Sequence, residues 1–439
     1  MPQKKKINRR RFLKKAMGTA AGAIAFPYVV PASVLGKSGS IAPSNRIVMG
    51  CIGTGKQGQY VLGNFLQLPN AQVVALCDCR KSERDDALAV VKKHYGKADC
   101  ALYNDFRELC ARTDIDAVLI ASTDHWHVLH ALKAARTGKD MYVEKPLGMS
   151  VEQAQVLRKE IKRYGRVFQF GTQQRSDRNF RFACELALNG RVGKLHTIKV
   201  GVPPSIKTGH YPIVPVPPGI DYEMWLGPAP WAPYMKERIV TLGPDWHKLW
   251  WHISDYSLGW ISGWGIHHID IAQWGNATEL TGPLEVQGTG VFPDEGLCDC
   301  ATAWDVKMKY ANGVTLDFTD NNQNPQGVCF EGSDGWVFVK RGAIDAHPKS
   351  LLTEKIGPNE IHLPVSNHHQ QNFLDAVKTR ARPVSPIDSA VCSEIVCQLS
   401  DIATRTGRKL RWDPEKEKFI GDKLANGMLK RAMRSPWHL

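Results

Sequence analysis

The first 40 residues contain no acidic side chain, against nine Lys or Arg. The whole 439-residue chain carries a net charge of +14, so only +5 is left for the rest once that basic leader is set aside. So small an excess argues against a nucleic-acid surface on the body of the protein. After the leader no apolar run reaches the roughly 18 residues of a membrane span, which excludes a polytopic membrane protein. The eleven cysteines lack a framework pattern. Their number is odd, Cys51, Cys77 and Cys329 sit in apolar runs, and the C-x-C pairs Cys77/Cys79 and Cys298/Cys300 lack zinc spacing. No metal is therefore assigned. Internal repeats and long low-complexity linkers are also missing. With 43% apolar and 23% charged residues, the body reads as an ordinary globular chain of two or more domains.

The leader runs Asn8-Arg9-Arg10-Arg11-Phe12-Leu13-Lys14 and then a moderately apolar stretch to Val30. A basic segment followed by a short apolar one is a signal peptide. Small residues near Ala32-Ser33 offer cleavage positions.

From residue 46 to about 172 short apolar strands alternate with helix-like stretches, which predicts a doubly wound parallel sheet. Strands are expected at 46–52, Ala71–Cys77, Ile115–Ala121, Asp140–Val143 and Val167–Phe170. Beyond this the character changes. Residues 202–250 are rich in Pro, Trp and Gly, and 283–340 show five strand-like runs expected to form an open, largely antiparallel sheet. Helical periodicity returns at His369–Thr379 and Ala390–Thr406, and the tail 407–439 looks irregular. The expected division is a leader at 1–40, a Rossmann domain at 46–172, an α+β substrate and oligomerisation domain at 173–385, and a C-terminal helix and tail at 386–439.

Gly53-x-Gly55-x-x-Gly58 falls between a strand and a helix, and Asp78 ends the next strand. In that setting the motif is a dinucleotide fingerprint. Gly53 permits the tight turn, Gly55 the approach of the pyrophosphate to the helix amides, and Gly58 the packing of helix on strand. The Asp78 carboxylate suits the ribose hydroxyls and repels a 2′-phosphate, so NAD is favoured over NADP, although Arg80 and Lys81 soften that preference.

Glu144-Lys145-Pro146-Leu147 after a strand, and Gly265-x-His267-x-x-Asp270 further on, join this fingerprint. Together they resemble the Gfo/Idh/MocA oxidoreductase family over essentially the whole of 46–439. The leader in turn resembles a twin-arginine (Tat) signal, with Asn8 where Ser is commoner. These resemblances imply a Rossmann domain followed by an α+β domain and a homo-oligomer (dimer or tetramer). They also imply export through the Tat machinery to the periplasm, with tightly held NAD, since such signals carry folded proteins.

The family resemblance further implies site residues. Lys145 matches a lysine between nicotinamide and substrate hydroxyl, where an ammonium stabilises developing negative charge. His267 matches a histidine that binds substrate or acts as general base. Cofactor contacts are expected from Lys56, Gln57, Ser122, Thr123, His127 and Glu144, and substrate contacts from Gln173, Arg175, His268 and Asp270. The sequence departs from the family at Gly263, where many relatives have Asp one turn before this histidine. Asp255, with Asp221 behind it, is the expected substitute acid. Eight tryptophans between 225 and 274 offer indole faces for the apolar side of a sugar, and core packing claims most of them. The expected activity is hydride transfer from a sugar or glycoside hydroxyl to NAD. The alternatives are redox-neutral glycoside cleavage by transient oxidation and elimination, and a non-catalytic sugar-binding protein retaining the fold.

Overall fold

The computed structural model describes residues 42, 45–96, 99–239 and 249–439. The leader, and with it the Tat-like motif, lies outside the described residues, as does Trp246.

Six parallel strands form the first sheet: β1 (Ile47–Ile52), β2 (Ala71–Cys77), β3 (Ala101–Tyr103), β4 (Ala117–Ile120), β5 (Asp140–Val143) and β6 (Phe168–Phe170). Their order is β3-β2-β1-β4-β5-β6, all pairs parallel. Helices cover both faces, so β4 and β5 are buried at every position, which explains the unbroken apolar run of β4 and the Met141–Val143 run of β5. Strands β2 and β3 are added on one side of β1, and β4 to β6 on the other. The C-terminal ends of β1 and β4 therefore leave a crevice at the topological switch point.

The second sheet has nine strands in the order β13-β12-β11-β7-β10-β9-β8-β14-β15. They are β7 (Leu195–Val202), β8 (Glu285–Val291), β9 (Ala303–Lys309), β10 (Thr315–Asp320), β11 (Gly327–Gly332), β12 (Trp336–Lys340), β13 (Ala343–His347), β14 (Leu410–Asp413) and β15 (Lys418–Phe419). Only β7 and β10 pair in parallel. Strand β7 was not expected from sequence, although it is central. The tail is not irregular either: β14 pairs with β8, and a short helix follows at Lys423–Gly427. The tail's Trp412 and Phe419 are almost wholly buried, and this apolar anchoring overrides its polar composition.

Residues 47–439 form one compact unit. Two late helices tie its sheets together. His369–Thr379 returns to the first domain, where Phe373 meets Phe65 and Tyr142 edge-on, with ring centroids 6.1 Å apart in each pair. Ile387–Thr406 is buried at almost every position between β8 and the helix Val151–Tyr164. Each such fully buried large apolar side chain contributes about 1.5–3 kcal/mol. The expected boundary at 386 therefore separates no independent body.

Candidate active site

A cleft of about 930 Å³ runs from the ends of β1 and β4 to the helix Gly265–Gly275. Its first half is built locally. Gly53 has φ +83°, and a Cβ there would lie 2.3 Å from the Ser122 amide nitrogen. A Cβ on Gly58 would lie 2.1 Å from the Gly53 carbonyl oxygen. Glycine is therefore required at both positions. The helix Lys56–Leu66 starts at Gly55 with no side-chain cap and no acidic residue in its first turn, so its amides and dipole are available to an anion. Asp78 accepts from the amides of Thr54 (2.8 Å) and Arg80 (2.9 Å), which locks its carboxylate against the glycine loop. The Arg80 guanidinium is held by Glu83 at 2.6 Å. The glycine cradle, the free helix amides and the carboxylate at the next strand end fit a dinucleotide carrying a free ribose diol.

Several expected cofactor residues hold the protein together here. Ser122 Oγ meets His130 Nδ1 at 3.0 Å, and Thr123 is the residue from which the helix Asp124–Arg136 starts. Both ring nitrogens of His127 face backbone carbonyls, Pro146 O at 2.6 Å and Ser122 O at 3.0 Å. His127 thus fastens the end of β4 to the Lys145-Pro146 loop, and burial pushes its pKa down to about 4. Gln173 donates to Glu144 Oε1 and to the Tyr142 hydroxyl, each at 2.9 Å, so it braces Glu144 while lining the cleft. Burial raises the Glu144 pKa against the opposing effect of Lys145.

The second half converges from distant parts of the chain. Lys145 follows β5, and its Nζ donates to the Gly263 carbonyl oxygen at 2.9 Å. Where relatives carry a carboxylate one turn before His267, this chain offers Lys145 only a carbonyl. Burial lowers the Lys145 pKa, opposed by Glu144 and Asp124. His267 Nε2 lies 3.3 Å from Arg341 Nη2, and its Nδ1 is buried without a partner. The Arg341 guanidinium rests on the Trp264 ring, 4.7 Å from its centroid. Burial first, then Arg341 and Lys145, drive the His267 pKa well below its usual value, so the ring is neutral. Behind these, buried Glu394 accepts from the Leu147 amide (3.0 Å), Ser262 Oγ (3.1 Å) and Gln398 Nε2 (3.0 Å). It thereby joins the lysine loop to the segment carrying Gly263.

Other expected residues lie elsewhere. Arg175 does not line the cleft. It is buried and doubly bonded to Asp270 (2.7 and 2.8 Å), with Glu279 at 2.7 Å. Ser393 Oγ completes the Asp270 shell at 3.0 Å. Both residues belong to a closed ion-pair network, because an inward guanidinium demands such compensation. His268 faces away, accepting from Trp264 Nε1 at 3.3 Å and stacking on Phe180. Asp255 is half-buried outside the cleft lining, beside Asp299 and Arg431, and Asp221 caps the helix Tyr222–Leu226. Neither replaces the acid missing at 263. Trp225, Trp250, Trp251, Trp260 and Trp264 do line the cleft. Trp274 instead packs under Arg175, and Trp231 is 65% exposed.

Among the lining residues that were not anticipated, two carry charge beside Lys145 and His267. Arg341 comes from the turn between β12 and β13, where nothing local marks it. Asp124 is the first residue of its helix and stood in plain view within Asp124-His125-Trp126-His127.

The switch-point crevice and glycine cradle define a dinucleotide-binding fold. Residues 47–172 match the oxidoreductase-family NAD-binding Rossmann domain, and 206–439 match the family's C-terminal alpha/beta domain. The chain belongs to the Gfo/Idh/MocA oxidoreductase family, and its first domain binds NAD. Over 161 residues it is 35% identical to Glycosyl hydrolase family 109 protein 1 of a Shewanella species and to an alpha-N-acetylgalactosaminidase of Shewanella oneidensis. Each alignment spans 34% of this chain and 35% of the relative. Myo-inositol dehydrogenase from Lactobacillus casei, solved with NAD(H) and myo-inositol, shares the fold with TM-score 0.57 and 19% identity, over 84% of this chain and 97% of that one. The aldose-aldose oxidoreductase of Caulobacter crescentus, solved with glycerol, does so with TM-score 0.59 and 16% identity, over 83% and 99%.

Proposed function

We propose that this protein is an NAD-dependent oxidoreductase that oxidises a hydroxyl-bearing carbon of a sugar or glycoside. The observation that carries this reading is the Lys145 side chain, which lines the same cleft as the dinucleotide cradle, His267 and a tryptophan wall. Bound NAD supplies the hydride acceptor. Lys145 holds the reacting oxygen and, in the amine form that its lowered pKa favours, accepts the hydroxyl proton to become an ammonium. His267, kept neutral with Nε2 facing Arg341, accepts rather than donates on that side and fixes a neighbouring group of the substrate. Indole faces pack the C–H side of a pyranose ring. The Tat-like leader adds export to the periplasm with NAD loaded beforehand, and the open sheet adds self-association.

A second reading is redox-neutral glycoside cleavage, favoured by the names of the Shewanella relatives. It shares the same first oxidation. The ketone then acidifies the neighbouring C–H, the aglycone leaves, and the hydride returns to the product.

The test is the reduced-nicotinamide absorbance of the purified protein, without added NAD, while glycosides, N-acetylgalactosaminides and inositols are supplied in turn. A band that rises with one sugar, and stays flat in Lys145→Met, supports oxidation. Release of the aglycone with the band returning to baseline favours cleavage. Retained NAD that no sugar reduces leaves a sugar-binding protein and ends the enzymatic reading. For export, Arg9→Lys with Arg10→Lys is expected to hold the protein in the cytoplasm; unchanged delivery would refute the Tat assignment.

A further inference from the structure

The cations that line the cleft are partnered unequally. Arg80 is held by Glu83 at 2.6 Å, and Lys145 donates to the Gly263 carbonyl oxygen at 2.9 Å. Arg341 has no carboxylate within ion-pair distance among the described residues, and its one hydrogen-bond contact there is Nη2 to His267 Nε2 at 3.3 Å. The two carboxylates whose charge it feels are engaged elsewhere. Glu144 accepts from Gln173 at 2.9 Å, and Asp177 caps the helix Arg178–Leu188, accepting from the Asn179 amide at 2.8 Å. The guanidinium is nevertheless held in place, resting on the Trp264 ring 4.7 Å from its centroid. Such stacking takes up a face and leaves the N–H edge for an acceptor in the guanidinium plane. The complement of an oriented guanidinium with unused donors is a planar anion.

We propose that Arg341 makes this site selective for an acidic sugar, a hexuronic acid or its glycoside, by pairing with the carboxylate while a ring hydroxyl of the same sugar reaches Lys145. The inference rests on the oxidoreductase reading above and narrows its substrate class. The cofactor's own anion belongs elsewhere, at the uncapped helix start after Gly55. Arg341 instead touches His267 and Trp264, on the segment that meets Lys145 through the Gly263 carbonyl. Arg341 and Lys145 both depress the His267 pKa, and Arg341 also depresses that of Lys145, so the potential at this end of the cleft is positive. In a hexuronic acid the carboxylate stands at the ring edge, outside the C–H faces that pack on indole. Stacking on the tryptophan wall and pairing with a guanidinium are therefore compatible. A neutral sugar would offer Arg341 a single uncharged hydroxyl oxygen, whereas a carboxylate offers two charged ones in the geometry of the fork.

The test uses the NAD-loaded protein and two matched pairs, methyl glucuronide against methyl glucoside and methyl galacturonide against methyl galactoside, titrated by tryptophan fluorescence. In at least one pair the acid is expected to bind about tenfold or more tighter than its neutral partner, and in Arg341→Gln that advantage falls below about threefold. Arg341→Lys keeps the charge without the fork, and an intermediate advantage is expected. The proposal is overturned if the acid has no advantage in either pair, or if the advantage survives in Arg341→Gln. It is overturned as well if Arg341→Gln, folded by circular dichroism, has lost its NAD, which would put the arginine on the cofactor. Should Arg341→Gln fail to fold, the wild-type pairs and Arg341→Lys decide. The reduced-nicotinamide band then separates the two readings. If acids bind through Arg341 while no sugar reduces the bound NAD, the recognition stands and the oxidoreductase reading fails. If neutral sugars reduce it and the acids have no advantage, the oxidoreductase reading stands and Arg341 selects nothing.

Discussion

Two polar clusters meet the helix Gly265–Gly275, one at Asp270 and one at His267, and they are bonded very differently. Arg175, Asp270, Glu279 and Ser393 form a closed set in which the guanidinium meets two carboxylates and Asp270 also takes a hydroxyl. Lys145, Asp124, His267 and Arg341 form an open set. There the lysine has only a carbonyl in hydrogen-bond contact, and one imidazole nitrogen has no partner. Both sets contain cations, carboxylates and buried positions. Satisfaction separates them: a complete network rigidifies, whereas an incomplete one waits for a ligand. Residue type and motif membership did not make this distinction, since Arg175 and Asp270 carried the family pattern as strongly as His267.

The comparison can be broken at each side. In Arg175→Met the closed set loses its cation and leaves Asp270 buried and uncompensated. Unfolding in urea is expected to show a loss of about 3–5 kcal/mol, with any surviving protein still binding NAD. A loss under about 1 kcal/mol would deny the closed set its structural role. In Lys145→Met the open set loses its reactive member. Here kcat is expected to fall roughly 10²- to 10⁴-fold, while the urea midpoint moves far less than in Arg175→Met. The reverse ranking would exchange the roles of the two clusters.

A subtler contrast comes from pH. The Asp124 pKa is raised in the folded protein, so its contribution to stability is fully present below the unfolded value near 4 and is lost as pH rises through about 7. Relative to Asp124→Asn, wild type is expected to lose stability over that window, by at most about 4 kcal/mol. Parallel stability curves for the two proteins would contradict the raised pKa. The smallest effect is expected at Arg341. Arg341→Gln removes one of the charges that depress the His267 pKa, so the ring's NMR titration should move upward toward neutrality. A midpoint that stays put would mean that burial alone sets it.

The nucleotide half of the cleft was legible because its determinants are local. Gly53, Gly55 and Gly58 belong to one turn, and Asp78 ends the adjacent strand, so spacing alone implies geometry. The apolar strands β1, β2, β4, β5 and β6 were equally plain, whereas the three-residue β3 was not expected. Strand β7 was not, although Asn189-Gly190 and Pro203-Pro204 flank it, since its polar His196 and Lys199 break the apolar run and its partners β10 and β11 lie more than a hundred residues on. The tail misled through its polar composition, which conceals the few aromatic anchors that pin it. Asp124 was passed over because nothing in the sequence says which carboxylate will be buried in the cleft.

What the sequence determined by itself is the scaffold and its cofactor: a switch-point sheet, a glycine cradle, an acid for the ribose and a lysine at the end of β5. Short-range chain geometry fixes all of these. Only the tertiary structure decided which polar groups are paired. Partner choice among residues 124, 145, 263, 267 and 341 depends on how two sheets and the helix Ile387–Thr406 pack together, and desolvation, which sets the protonation of Asp124, Lys145 and His267, exists only after that packing.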